Sequence, residues 1–394
     1  MINNKIKETV LQNKASMIEL RRDLHRYPEL PWEEFETTKR IAAELDKIGV
    51  EYRLTQPTGV IAEIKGAKPG KTVALRADID ALPVTELNNK IDYASTVPGK
   101  MHACGHDVHT AMLLTAAKAI HAIKDELQGN VRFIFQPAEE MADGALKMIE
   151  QGAIENVDNV FGMHVWSVVP TGKISCVVGS SFAAVDWIKI NFKGRGGHGS
   201  MPHECIDAAV VASAFVMNVQ SVISRESHPL QPAVFSIGKM DVGTRFNVIA
   251  ENAALEGTVR SFTHEDRERI QAAIRRYAEH TAAMYGATVD IDYAYVTNPV
   301  INEERSAKLA QKVIQEAFGE DTLCFEDPTT GGEDFSYYTV DIPGTYALVG
   351  TRNPEKGSNF AHHHGCFNVD EDSLVTGAEL YAQYAWNYLN QNEF

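Results

Sequence analysis

The sequence is short of positive charge. Its 394 residues include 37 lysines and arginines against 53 aspartates and glutamates, which gives a formal net charge of −16 at pH 7. Nucleic acids and anionic membrane surfaces repel a chain of this sign. We therefore expect neither as a partner, whereas a small-molecule substrate stays open.

Cysteine and long apolar stretches are also scarce. The five cysteines are an odd number scattered along the chain, which suits a reducing compartment better than a disulfide framework. No apolar run approaches the roughly 18 residues of a membrane span, and residues 1–17 lack the apolar core of a secretory signal. These features predict a cytoplasmic protein without a membrane-spanning segment.

The order of predicted elements indicates two domains, because a chain of 394 residues is too long for one compact core. Helices and strands alternate over residues 1–183 and again over residues 296–394, which predicts an α/β domain with a mostly parallel central sheet. Residues 184–295 have the order β-α-β-β-α-β, the signature of a ferredoxin-like α+β unit. The predicted architecture is thus a discontinuous α/β domain into which a smaller domain is inserted.

Apolar residues at helical spacing mark individual helices near both ends of the chain. Residues 6–29 predict one helix, with Pro28 near its end, and residues 32–49 predict a second helix that stops at Gly49. The last predicted helix spans residues 373–391. These elements would flank the central sheet of the larger domain.

The stretch "MHACGHDVH", residues 101–109, concentrates side chains that bind protons and metals. A single histidine or cysteine is usually structural, but Cys104 and His106 lie at the head of a predicted helix, close enough to share an ion. A disulfide is not expected, since no second cysteine lies nearby in the sequence. A cysteine nucleophile with a histidine base stays an alternative, although such pairs are usually distant in sequence.

Two carboxylates favour the metal interpretation. Glu139 and Glu140 follow a predicted strand in "QPAEE", and adjacent residues of an extended segment point in opposite directions. One carboxylate could then bind an ion while the other accepts a proton from water. The alternative is a solvated acidic pair at a helix N-terminus.

Further histidines lie where other predicted strands end or in loops. His164 ends an apolar strand, and "AHHHGC" places three histidines in a row at residues 362–364. Cysteine, histidine and glutamate are ligands of borderline divalent ions, and ligands of an α/β sheet bind at the carboxyl ends of its strands. The joint occurrence of these residues predicts a metal site.

The segment "GRGGHG", residues 194–199, formally matches a dinucleotide-binding fingerprint. That fingerprint also requires an immediate helix and an acidic residue about 20 positions later. Pro202 delays the helix, and residues 211–225 contain no aspartate or glutamate. We therefore interpret the segment as a glycine-lined loop that presents His198.

Several motifs together carry a family resemblance. They occur in order along nearly the whole chain: "RRDLHRYPEL", "LRADIDALPV", "MHACGHDVHTAML", "QPAEE", "GGHGSMPH", "FNVIAENAALEGTVRSF" and "GGEDFS". The sequence resembles the aminoacylase-type family of binuclear metallopeptidases, and within it the amidohydrolase subgroup of hippurate hydrolases, N-acetyl amino acid deacetylases and indole-acetyl–amino acid hydrolases. The resemblance implies a two-metal catalytic domain and an inserted lid domain that commonly dimerises.

The resemblance also implies a set of metal ligands. These are one of the histidines 362–364 together with Cys104, His106, Glu140 and His164. The family pattern H-x-P-x-F selects His363, four residues before Phe367, although Gly365 replaces the proline. Asp78 stands where other branches of the family have a metal-binding histidine, and Asp80 matches an aspartate that orients a ligand.

Catalytic and substrate-binding roles are implied in the same way. Glu139 would be the general base, and His198, from the lid of a partner subunit, would stabilise the oxyanion. Asn247 and Arg260 match positions that hold the substrate, and the planar fork of Arg260 suits a free α-carboxylate. The Gly331–Gly332 turn would let a loop approach the site closely.

The leading hypothesis is an amidohydrolase that cleaves N-acetyl or N-aroyl L-amino acids to a carboxylic acid and a free amino acid. Two divalent ions per chain, Mn²⁺, Zn²⁺, Ni²⁺ or Co²⁺, would serve as cofactors, and the inserted domain would form a homodimer. A dipeptidase or aminopeptidase-like activity is the runner-up. A metal-binding protein without catalysis and a cysteine-dependent hydrolase are the alternatives from other classes.

Overall fold

A computed structural model describes residues 2–390 of the protein. Its β-strands, β1 to β16 in chain order, are Glu51–Leu54, Val60–Lys65, Lys68–Asp78, Gln128–Gln136, Asn159–Pro170, Ile174–Ser175, Gly179–Phe182, Ala184–Lys193, Gly197–His198, Val234–Val242, Val248–Ile249, Asn252–Ser261, Thr288–Thr297, Val300–Asn302, Leu323–Cys324 and Gly344–Arg352. Its α-helices, α1 to α9, are Ile2–Gln12, Lys14–Arg26, Phe35–Ile48, His106–His121, Gly144–Glu150, Ala208–Ser221, His264–Tyr285, Glu304–Phe318 and Ser373–Asn390.

The described residues form two compact units. Residues 180–301 and 328–333 make up the second unit, and the other described residues make up the first. The predicted domain division at residues 184 and 295 stays a prediction. The predicted fold class is confirmed by the two kinds of sheet described next.

The first unit is built on an eight-stranded sheet in the order β1-β2-β4-β3-β5-β16-β6-β15. Its four central strands, β4, β3, β5 and β16, run parallel to one another. The pairings β1–β2, β2–β4 and β16–β6 are antiparallel. The residues of β3 from Thr72 to Asp78 are all buried, as expected for a strand of a parallel sheet that is covered on both faces. The carboxyl ends of the central strands therefore meet at one edge.

The helices of the first unit agree with the apolar pattern, with one exception. Helix α3 ends at Gly49, whose φ of 80° is the left-handed conformation that favours glycine. The single helix predicted over residues 6–29 is two helices, because the helical conformation is interrupted at Asn13, between α1 and α2. The last predicted helix extends to Gln391, and this residue lies outside the described residues.

The second unit contains a four-stranded antiparallel sheet in the order β10-β12-β8-β13, with α6 and α7 following in the chain order β8-α6-β10-β12-α7-β13. This is the ferredoxin-like arrangement that the sequence predicted. Phe192, Phe215, Val259 and Ile270 belong to its apolar core.

One segment of the second unit, Ala208–Glu226, is long and apolar enough to cross a membrane by length and composition. The expectation that no stretch reaches this length is therefore wrong. Core helices of soluble proteins share this length and composition, so these features do not by themselves indicate a membrane span. Phe215 and Val219 of this segment are buried in the core of the unit.

Candidate metal centre

A glycine with a positive φ brings the first two predicted ligands against β5. Gly105, with φ 96°, directly precedes α4 and separates Cys104 from His106. A Cβ atom on Gly105 would lie 2.4 Å from Cγ2 of Val165, which no real side chain tolerates. Only glycine allows this close approach, and Cys104 Sγ consequently lies 3.4 Å from Nε2 of His164.

The five predicted ligands form two groups that share the cysteine. In each group the candidate ligand atoms lie within 4.8 Å of one another, and the groups are Cys104–His106–His164 and Cys104–Glu140–His363. These residues come from the head of α4, the end of β4, the middle of β5 and the loop after β16. The structure thus gathers donors from four distant parts of the sequence at one edge of the sheet.

Two buried atoms in these groups test whether a metal would fit. Within the described residues, Nε2 of His106 is buried without a hydrogen-bond partner, which is costly for a polar atom. Oε1 of Glu140 is buried without a hydrogen bond of suitable geometry, although it lies 3.3 Å from Nε2 of His363. The other ring nitrogen of His106, Nδ1, lies 3.2 Å from Oδ1 of Asp80. That contact keeps a proton on Nδ1, so Nε2 would offer its lone pair to a cation once its own proton is displaced. Divalent cations suit this donor set.

Carboxylates act on the protonation of two candidate ligands, Cys104 and His106. Burial, followed by the charges of Glu140 and Glu139, raises the pKa of the Cys104 thiol well above its ordinary value. Burial alone would lower the pKa of His106, but Asp78 and Asp80 outweigh it and raise that pKa to about 10. Both groups therefore hold protons that a bound cation would displace.

The two carboxylates after β4 converge instead of diverging. Glu139 and Glu140 belong to a short 3₁₀ turn, Glu139–Met141, and both approach His106 closely enough to form a third candidate ligand group with it. Oε2 of Glu139 lies 3.9 Å from Nε2 of His106. The expectation that they point in opposite directions is wrong, because it assumed an extended backbone.

The three consecutive histidines at residues 362–364 have different contacts. His363 joins a ligand group, with Nε2 3.3 Å from Oε1 of Glu140. His362 is half-buried, and its Nε2 accepts a hydrogen bond from the backbone N–H of Ser167 at 3.1 Å. Desolvation lowers the pKa of His362 to about 3. His364 stacks on Phe360. This geometry favours His363, whose role as a ligand stays a prediction.

A second pair of buried residues, Asp78 and His109, was not assigned a role from sequence. Nδ1 of His109 lies 2.5 Å from Oδ1 of Asp78, and its Nε2 accepts the N–H of Val165 at 2.9 Å. Arg76 donates to the other oxygen of Asp78 at 2.6 Å. His109 follows His106 by three residues on α4, so the helical spacing was the signal that could have identified it.

The other predicted site residues belong to the second unit. His198 is exposed on β9, and its Nδ1 accepts the N–H of Ser200 at 3.1 Å. The carbonyl of Asn247 accepts the N–H of Gly199 at 3.0 Å, so Asn247 lies beside the loop that carries His198.

The remaining predicted substrate residue, Arg260, lies on β12. It donates to the carbonyls of Thr330 at 3.1 Å and of Val259 at 2.9 Å. Within this unit, Gly332 approaches Val185 so closely that a Cβ atom would lie 2.6 Å from its Cγ2. The functional roles of these residues stay predictions.

Known proteins resemble this chain over nearly its whole length. The model of the peptidase family M20/M25/M40 matches residues 74–387. An N-acetylcysteine deacetylase of Bacillus subtilis is 42% identical, covering 94% of this chain and 96% of its own. Thermostable carboxypeptidase 1 of Saccharolobus solfataricus is 40% identical, covering 98% and 99%.

Solved structures agree with these relatives. A putative aminohydrolase from methicillin-resistant Staphylococcus aureus has a TM-score of 0.95 and 38% identity, covering 98% of this chain and 100% of its own. A dinuclear metal binding peptidase of the M20 family from Bacillus subtilis has a TM-score of 0.85 and 37% identity, covering 95% and 98%.

The chain therefore belongs to the peptidase family M20/M25/M40, which confirms the resemblance found in its motifs. Within this family it is an amidohydrolase, a hydrolase that acts on amide bonds.

Proposed function

We propose that the protein hydrolyses N-acetyl or N-aroyl L-amino acids to a carboxylic acid and a free amino acid with two bound divalent cations. The observation that carries this proposal is the pair of donor groups sharing Cys104, with Glu139 beside them. The names of two relatives, the N-acetylcysteine deacetylases of Bacillus subtilis at 42% and 37% identity, support the acyl amino acid class.

The donor groups divide the proposed ligands between two cations. One cation would be held by Cys104, His106 and His164, and the other by Cys104, Glu140 and His363. When bound, such cations acidify a water and polarise the scissile carbonyl. The dinuclear metal binding peptidase from Bacillus subtilis supports the number of ions. Zn²⁺, Mn²⁺, Ni²⁺ and Co²⁺ all accept this mixture of thiolate, imidazole and carboxylate.

The protein's own residues would move the proton and hold the ligands. Glu139 would accept a proton from the attacking water and deliver it to the leaving amine. Asp80, whose Oδ1 lies 3.2 Å from Nδ1 of His106, would keep the proton on Nδ1 and leave Nε2 for the cation.

The second unit would complete the site as a lid. The partner subunit's His198 would stabilise the oxyanion in a homodimer. Asn247 would hold the substrate, and Arg260 would bind its α-carboxylate. The odd number of cysteines, scattered along the chain, supports a cytoplasmic location.

A carboxypeptidase or dipeptidase activity is the second candidate. It is favoured by the 40% identity to a thermostable carboxypeptidase. Such an enzyme also acts beside a free α-carboxylate, so Arg260 would serve both functions. The two candidates differ in the group on the other side of the amide bond.

A substrate panel separates the candidates. N-acetyl amino acids, N-benzoyl amino acids and free dipeptides would be assayed with the purified protein, after chelation, and after adding back Mn²⁺ or Zn²⁺. Glu139→Gln is the matched variant, with metal content measured in parallel. We expect metal-dependent release of amino acid from the acylated substrates, abolished in the variant without loss of metal. Cleavage of dipeptides alone, or full activity in Glu139→Gln, would overturn the proposal.

A further inference from the structure

The turn that carries Glu139 has an unfavourable backbone on both sides. Ala138, with φ 52°, and Ala142, with φ 60°, flank the 3₁₀ turn Glu139–Met141 in the left-handed region. Residues with a Cβ atom disfavour this region. The surrounding structure must therefore hold the turn in place.

Two buried carboxylates hold the backbone N–H groups on either side of Glu139. Oδ2 of Asp80 accepts the N–H of Glu140 at 3.0 Å. Oε1 of Glu34 accepts the N–H of Ala138 at 2.9 Å. Asp80 already has a role through His106, whereas the role of Glu34 is unexplained.

The burial of Glu34 carries a desolvation penalty. Its side chain is fully buried at the start of α3, yet it does not cap that helix. Its second oxygen, Oε2, accepts the hydroxyl of Thr58 at 2.7 Å. Burial and the charge of Asp80 raise the pKa of Glu34 to about 7. An apolar residue would avoid this desolvation cost, so packing alone does not account for a carboxyl group here.

Two glycines, Gly144 and Gly59, pack closely against Pro137, which precedes the same turn. A Cβ atom on Gly144 would lie 1.8 Å from the carbonyl oxygen of Pro137, and one on Gly59 would lie 2.8 Å from Cδ of Pro137. The turn is thus closely packed at Pro137, and Glu34 supplies the hydrogen bond at the next residue.

We propose that Glu34 is a positioning residue, whose hydrogen bond to Ala138 holds the left-handed backbone and thereby places the Glu139 carboxylate for proton transfer. This inference rests on the proposed role of Glu139 as general base. Small displacements of a catalytic group reduce the rate strongly, by about a hundredfold for 1 Å.

Four variants test the inference. Glu34→Leu removes the contact with Ala138, and Glu34→Gln keeps an oxygen that can accept the same N–H. Thr58→Val removes only the hydrogen bond to the other oxygen of Glu34. The double variant Glu34→Leu/Ala138→Gly also relieves the backbone, because glycine adopts a positive φ readily.

We expect Glu34→Leu to lower kcat by about tenfold to a hundredfold, with KM and metal content unchanged. Glu34→Gln and Thr58→Val should keep kcat within about threefold of the wild type. The double variant should recover part of the loss. The thermal unfolding midpoints of all four variants show whether a lower kcat comes from displacement of the Glu139 carboxylate or from loss of folded protein.

Hydrogen exchange at the amide of Ala138 provides a readout that needs no substrate. Exchange should accelerate in Glu34→Leu and stay slow in Thr58→Val. Equal exchange in the two variants, or equal kcat in folded Glu34→Leu and the wild type, would overturn the inference. Absence of hydrolysis by the wild type would overturn the proposed function instead, while exchange would still decide whether Glu34 holds the turn.

Discussion

Buried charged groups are paired differently in the core of the second unit and at the sheet edge of the first unit that carries the candidate ligands. In the second unit, Asp186 accepts hydrogen bonds from Arg267 at 2.8 Å and from the Tyr293 hydroxyl at 2.8 Å. Arg267 also donates to Asn298 at 2.8 Å. Each carboxylate oxygen of Asp186 accepts a hydrogen bond. The Asp186–Arg267 pair is therefore accounted for by its structural role in the core of the second unit.

The buried groups at the sheet edge of the first unit are not balanced in this way. His106 keeps one ring nitrogen without a hydrogen-bond partner among the described residues, although it lies between Asp78 and Asp80. Cys104 adds a thiol whose pKa the surrounding carboxylates raise further after burial. A buried ring nitrogen without a hydrogen bond, next to a thiol and several carboxylates, fits a cation-binding site, whereas the paired Asp186 and Arg267 fit a structural role.

The largest effect expected from this comparison is the loss of metal on changing the shared ligand. Cys104→Ser should remove a donor from both groups, lowering bound metal from about two ions per chain to less than one and activity by at least about a hundredfold. Metal analysis after dialysis measures this. Cys324→Ser, in β15, is the matched control. Two ions retained in Cys104→Ser would show that the thiolate is not shared.

Changing the paired charges of the second unit should reduce stability and leave bound metal unaffected. Asp186→Asn leaves Arg267 buried without its counter-charge, which should cost about 3–5 kcal/mol of unfolding free energy and leave the metal content unchanged. Denaturant unfolding with metal analysis tests both statements. The double variant Asp186→Leu/Arg267→Met should be much less destabilised than the single one. Loss of metal from Asp186→Asn would break the distinction between the units.

Glu34 makes the stability of the first unit depend on pH. Because its pKa is raised from 4.5 to about 7, the folded state keeps it protonated where the unfolded chain ionises. This contribution to stability is complete below about pH 4.5 and is lost as the pH rises to about 7. Glu34→Gln cannot titrate, so its stability relative to the wild type should rise across this window by up to about 3 kcal/mol.

Urea unfolding of both proteins at pH 4.5 and pH 8 measures this difference. Metal binding also depends on pH, but it affects both proteins and cancels in the comparison. A constant difference in unfolding free energy between the two pH values would contradict the raised pKa.

The smallest expected effect concerns the proposed binding of the substrate carboxylate by Arg260. Arg260→Lys keeps the charge but loses the planar fork, so KM for an N-acyl amino acid should rise about tenfold, or ~1.4 kcal/mol, with a smaller change in kcat. The matched substrate is the corresponding N-acyl amino acid amide, which lacks the carboxylate. An equal rise in KM for both substrates would mean that Arg260 does not bind the carboxylate.

Local patterns accounted for most of the fold. Helical spacing located α3 and its end at Gly49, because one turn of helix is decided by neighbouring residues. The order β-α-β-β-α-β was enough to predict the sheet of the second unit. The break at Asn13 between α1 and α2 was missed, since both sides have similar helical spacing.

The candidate ligands were found by motif, but their arrangement was not. The sequence left the choice among histidines 362–364 to a family pattern, and tertiary structure distinguishes them by burial and by the contact of His363 with Glu140. It also shows that Cys104 belongs to both donor groups. Neither fact has a local signal.

By itself, the sequence determined which residues are chemically able to bind a metal and which segments form helices and strands. Both properties depend on side-chain type and on spacing over a few residues. Only the tertiary structure decided that Glu34 contacts the backbone of Ala138 and that Glu139 and Glu140 converge. It also decided that one ring nitrogen of His106 has no hydrogen-bond partner within residues 2–390. These properties arise from packing between segments far apart in the chain, where no periodicity in the sequence records which atoms will meet.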